Sequence, residues 1–174
     1  MKIFHNYRQL KEAQNQLANL KLQRDSGQVD LNTFYKQKKA LETTIAQYHD
    51  AKKPVLNTHQ EYTLKELLEF TFYEMQIADT TSCFIENLRL FTKGCLEHTP
   101  QADTVIILDV FNDAHEEGYT QYVLDNNLEL AYDGELFVDV ILSYQDYESG
   151  FDVELLIDAL EYYSENDTFM EIGK

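Results

Sequence analysis

The residues best suited to act together are four carboxylates, Glu154, Asp158, Glu161 and Glu165, separated by four, three and four positions. In a helix that spacing puts all four on one face, one above the next. Like charges so arranged repel by roughly 0.2–0.5 kcal/mol per pair, and a neighbouring Lys or Arg normally offsets the repulsion. No such neighbour exists, because the chain has no Lys or Arg between Lys93 and Lys174, an interval that holds twenty Asp and Glu. At about 1.5 Å per residue the row runs about 16 Å, one carboxylate per ~5.5 Å, against about 3.4 Å between phosphates along one DNA strand. One row falls short of a strand, so the flanking acids Asp133, Glu135, Asp139, Asp146, Glu148 and Asp152 would have to complete it. The plainer reading of the same face is a solvated one that keeps the protein soluble, as most charge runs do.

Other constellations carry less chemistry. Asp109, Asp113, His115, Glu116 and Glu117 follow an apolar run and offer oxygen and imidazole donors of the kind that hold Mg or Mn. A phosphate-cleaving site would also need Lys or Arg to stabilise developing charge, and this half of the chain has none before Lys174. An acidic turn is the competing reading. His5, His49, His59, His98 and His115 are dispersed and form no metal-ligand motif. Cys83 and Cys95 stand twelve apart with neither a second pair nor an adjacent base, so they read as buried thiols rather than as a zinc site, a disulfide framework or a nucleophile. There is no Gly-x-Ser-x-Gly elbow and no glycine-rich phosphate loop. The expectation is therefore a protein that is not an enzyme, with no catalytic residue, no metal and no cofactor.

The elements that must position the acids follow from periodicity. Apolar residues at Ile3, Tyr7, Leu10, Ala13, Leu17 and Leu20 keep the three-four spacing of a heptad seam. Asp25-Ser26-Gly27 supplies a turn, and Leu31, Phe34, Leu41, Ile45 and Tyr48 resume the spacing, with Lys38 at one seam position. This predicts an antiparallel, coiled-coil-like helical hairpin over residues 1–53, closed by Lys52-Lys53-Pro54 and a connection over 55–62. Thr63-Leu64-Lys65-Glu66 has the capping-box pattern, and a buried helix should follow, with Phe84, Ile85, Leu88 and Phe91 continuing the helical spacing as far as Gly94. Beyond Pro100 the period shortens. Val105 to Leu108, Tyr119 to Leu124, Leu128 to Tyr132 and Leu136 to Leu142 predict an antiparallel meander of three or four strands. Gly150 precedes a last amphipathic helix, with Asp152 as its N-cap and Val153, Leu156, Ile157 and Leu160 as its core face. The fold class expected is α+β, a basic helical hairpin over 1–53 followed by an acidic α+β body over 54–174.

Charge divides along the same boundary. Residues 1–53 hold ten Lys and Arg against five acids, a net of +5, and residues 54–174 hold four against 26, a net of −22, which together give the chain's −17. With 174 residues, 44% apolar content, ten Phe and twelve Tyr, this is an ordered chain rather than a disordered acidic tail. The start of the chain turns polar at once and no run of eighteen apolar residues occurs, so no membrane association and a cytoplasmic location are expected. The sign of the body excludes direct DNA binding by it. Only Lys36, Lys38, Lys39, Lys52 and Lys53 of the hairpin could touch phosphate, and a solvated helix face accounts for them too.

An ordered body with twenty acids and no base over some eighty residues resembles, as a class, the DNA-mimic inhibitors of phages and mobile elements, anti-CRISPR and anti-restriction proteins among them. The likeness lies in acidity, size and α+β character rather than in any motif. It implies a partner that is a basic nucleic-acid-binding protein, a nuclease by preference, whose Arg and Lys meet carboxylates where phosphates would otherwise sit. It also implies work in the host cytoplasm for a phage-encoded chain. Two other readings use the same features: an immunity or antitoxin protein neutralising a basic toxin, and a structural adaptor that self-associates through residues 1–53.

Overall fold

The computed structural model describes residues 2–52, 54–78, 84–94, 100–112, 114, 118–145 and 150–171. They form six helices and a four-stranded antiparallel sheet, an α+β fold, and the chain divides into two compact units, Met1–Val55 and Leu56–Lys174.

The first unit is a helical hairpin of α1 (Lys2–Asp25) and α2 (Leu31–Tyr48). Helix α1 ends because Gly27 takes φ +74, a left-handed conformation that costs glycine nothing, and the Gln28 N–H then caps the Gln23 carbonyl at 2.8 Å. Helix α2 starts because the Asp30 carboxylate accepts from the Asn32 and Thr33 backbone N–H groups at 2.9 and 3.0 Å. Hydrogen bonds from the Thr33 side chain and backbone hold that carboxyl below its ordinary value. The seam residues Leu10, Ala13, Leu20 and Phe34 are buried, and Arg24 lies over the Phe34 ring at 4.8 Å.

The second unit begins with β1 (Glu61–Thr63), which runs straight into α3 (Leu64–Ala78). The capping box forms as the sequence indicates: Thr63 N donates to Glu66 Oε2 at 2.9 Å and Glu66 N donates to Thr63 Oγ1 at 3.2 Å. A single 3-10 turn, Phe84–Asn87, leads into β2 (Leu88–Thr92), and then come β3 (Val105–Val110), α4 (Gln121–Asp125), β4 (Glu129–Asp133), α5 (Gly134–Gln145) and α6 (Val153–Asn166). The sheet order is β1-β3-β2-β4.

Three sequence expectations are corrected within this fold. Leu88 to Phe91 is strand rather than helix, because it pairs with β3 on one side and β4 on the other, a non-local gain that helical spacing cannot register. Tyr119 to Leu124 contains helix α4, started by the Thr120 hydroxyl accepting from Val123 N at 3.4 Å. Leu136 to Leu142 is helix α5. That segment carries two periods at once, and the one that folds is Gly134, Phe137, Val138, Ile141 and Tyr144, the buried three-four stripe. The sheet is therefore no meander, since β4 returns beside β2 and leaves β1 and β4 as the two edges.

One sheet face turns Tyr62, Leu90, Ile106, Leu108 and Tyr132 towards the helices, where α5 packs against α3 and α6 and the Tyr132 and Phe137 rings lie 5.9 Å apart. On the other face Phe91 and Ile107 form a smaller core with Val123 and Leu128 under Tyr119 and Tyr122. Helix α6 buries Leu156, Ile157, Ala159 and Leu160, and Asp152 caps it by accepting from the Glu154 and Leu155 N–H groups at 3.1 and 3.3 Å. That burial fixes which side of α6 faces out.

Candidate partner-binding surface

The outward side of α6 carries the acidic row. Glu154, Asp158 and Glu165 are exposed and Glu161 is half-buried, opposite the apolar stripe of the same helix. Glu161 also acts inward: its charge, added to the larger effect of burial, pushes the Tyr132 hydroxyl well above its ordinary value. The field of the acidic row is therefore felt at the end of β4, where α5 begins.

There the structure gathers a second group. Asp133, Glu135 and Asp139, all exposed, line a cleft of about 270 Å³ together with Leu136 and with Tyr163 of α6. Three acids that the sequence suggested as flanking charge thus stand at the junction of α5 and α6. Two of the candidates also have local structural duties. Asp133 accepts from Glu135 N at 3.2 Å and lies 3.7 Å from Arg89 Nε, while Asp152 is the α6 cap. Asp146 and Glu148 lie outside the described residues. No protein-family model matches the chain, nor does any curated protein or solved structure.

The metal-like set fares differently. Asp113, His115, Glu116 and Glu117 lie outside the described residues, as do Cys83, Cys95 and His98. Asp109, only 1% exposed, is committed elsewhere. Its carboxylate faces His59 Nε2 at 3.2 Å, accepts from Val110 N at 2.7 Å and receives the Thr120 hydroxyl. Among the described residues no group of three His, Cys, Asp or Glu is arranged to hold a metal ion.

Sequence reading missed this polar network. His59 sits at φ +63, donates its backbone N–H to the Leu108 carbonyl at 2.9 Å, and stacks on Tyr122 with ring centroids 4.0 Å apart. Arg89, paired in register with Asp109, lies over Phe111 at 4.4 Å and Tyr119 at 5.8 Å. The residues come from four segments, and no local spacing links them. The one available signal was an Asp inside an apolar strand, since a buried carboxylate demands donors from somewhere. The order of the contacts also limits the chemistry. Thr120 and His59 both address the carboxylate, so the hydroxyl is not lined up on the imidazole as a nucleophile relay requires. The network ties the loop before β1, the end of β3 and the start of α4 into one unit.

Proposed function

We propose that this protein is a protein-binding inhibitor that presents an acidic, nucleic-acid-like surface to the basic DNA- or RNA-binding channel of an effector nuclease, a CRISPR or restriction enzyme being the type. It would do this in the cytoplasm and without covalent chemistry. The observation that carries the reading is the outer face of α6: four carboxylates along about 16 Å of helix, continued at the α5 junction by Asp133, Glu135 and Asp139, in a stretch without a single Lys or Arg.

Two physical consequences support it. Apart from Asp133 at the end of β4, the carboxylates stand on helices whose opposite sides are buried, so their backbone positions are set by packing before any partner arrives, which lowers the ordering cost of binding. A guanidinium meeting such a face gains charge-assisted hydrogen bonds of the kind it makes with phosphate. Helix α6 alone provides too few charges per length to copy a strand, and the α5 junction supplies more beside it. Among the described residues no helix is long and apolar enough to cross a membrane.

The test is capture of partners from a host lysate on immobilised protein, at low and high salt, with and without added DNA or guide RNA. The reading expects a basic nuclease to be retained at low salt and released by salt and by nucleic acid. Retention indifferent to both would sink it. Replacing Glu154, Asp158, Glu161 and Glu165 together by Gln or Asn should weaken capture markedly while the fold persists.

A further inference from the structure

Helices α1 and α2 have 24 and 18 residues and form a compact unit of only two helices, so each can bury one side. Leu17, Leu41, Ile45 and Tyr48, all at seam positions, remain half-buried. Beside this seam runs a groove of about 500 Å³ lined by Gln16, Asn19, Leu20, Gln23, Gln37 and Leu41 and completed by Ala40. The α1 members fall at positions i, i+3, i+4 and i+7, a continuous stripe of one helix face. Every lining side chain is uncharged, although the segment 1–53 carries fifteen charged residues in all and a net of +5.

We infer that this groove is the contact by which two copies of the chain associate, hairpin on hairpin, about a twofold axis. In a twofold interface the same patch of both copies meets, residue i on j and j on i, so a charge buried there needs the opposite charge elsewhere in the same patch, and this patch holds neither sign. Amides need no such partner, because each both donates and accepts and can pair with the amides of the mate. A partner of different sequence recognising a basic hairpin would be expected to use the lysines, and none of them lines the groove. The area suffices when the contact extends from the groove along the whole side of both helices. At about 1.5 Å rise the helices are ~36 and ~27 Å long, and side by side, about 10 Å wide each, they offer ~600 Å² per copy, or ~1,200 Å² in total, the lower bound of stable specific interfaces. A four-helix arrangement would also cover the half-buried seam.

Sedimentation velocity of the full chain over a wide concentration range tests this. The expected result is a reversible monomer–dimer equilibrium. Gln16→Glu with Gln37→Glu, nearly isosteric changes at exposed helix positions, should weaken dimerisation at least about tenfold, and less so at high salt. Lys39→Glu, away from the groove, should leave the equilibrium in place. Helicity by circular dichroism checks the variants, and Ala40→Glu serves as a second probe should the double change unfold the hairpin. A wild-type chain that stays monomeric at every concentration overturns the inference. So does a dimer indifferent to both groove variants.

Discussion

Asp109 is the side chain whose surroundings constrain the body most narrowly, since a carboxylate 1% exposed persists only with its lone pairs occupied. His59, Thr120 and the Val110 N–H occupy them. Thr120→Val keeps the shape, removes one donor to that carboxylate and removes the hydroxyl that caps α4. The expected loss is roughly 2 kcal/mol, read from urea unfolding followed by tyrosine fluorescence, with Thr120→Ser near wild type. A Val variant as stable as wild type would show that Asp109 is satisfied without it. Tyr132 makes a pH-dependent prediction. Burial first, and the Glu161 charge second, raise its hydroxyl above the ordinary value near 10, so the folded state keeps a proton that the unfolded chain gives up. The associated stability is complete below about pH 10 and falls as the pH rises past it, by at most about 1.4 kcal/mol per pH unit for one group. Tyr132→Phe should flatten the alkaline limb of the stability profile and leave the neutral region's slope unchanged.

Among the elements, α5 is held most tightly at its first residue. A Cβ on Gly134 would come within 2.0 Å of the Ile85 carbonyl oxygen and 2.3 Å of that of Leu88, both backbone atoms that cannot turn aside. The glycine is required for close approach rather than for its dihedral angles. Gly134→Ala should therefore destabilise the body by about 1–3 kcal/mol despite alanine's better helix propensity, a sign opposite to that expected at an exposed helix position and measurable by thermal or urea unfolding. The same residue explains part of what was legible. Asp133-Gly134 looks like a hairpin turn, and Leu136, Val138, Val140 and Leu142 alternate as a strand does, so the segment read as β. Tertiary packing chose the competing stripe of Phe137, Val138, Ile141 and Tyr144. Elements whose signals are local were readable: the Asp25-Ser26-Gly27 turn, the Thr63–Glu66 box, the Asp152 cap and the amphipathic face of α6 all come from residues within a helical turn of one another. Strand β2 and the His59–Asp109 contact depend on partners 16 to 50 positions away, and a single sequence holds no record of such pairings. The acidic row was visible because its ordering is local, whereas its continuation by Asp133, Glu135 and Asp139 depended on how α5 meets α6.

For the molecule as a whole, the decisive property is that charge and fold divide together, a hairpin of net +5 ahead of a body of net −22. A body so charged should attract a basic channel over a distance of about a Debye length, ~10 Å at 0.1 M salt, before any side chain makes contact. The consequence is kinetic. With the nuclease retained in the capture experiment immobilised in turn, association should slow by at least about tenfold between 0.05 and 0.5 M salt, while dissociation changes far less. The Glu154, Asp158, Glu161 and Glu165 replacement should lower the association rate at low salt and flatten its salt dependence, because part of the long-range field is gone. Folding provides the control. Removing the four carboxylates abolishes three like-charge pairs spaced three or four apart on α6, each relieving roughly 0.2–0.5 kcal/mol, so the variant should unfold no earlier than wild type. An association rate unchanged in such a well-folded variant would mean that α6 is a solvated face and that the partner docks elsewhere. A rate that falls with the four charges and recovers when the native Glu or Asp is restored position by position would rank their contributions. Glu161, half-buried, should contribute less than the exposed Glu154, Asp158 and Glu165.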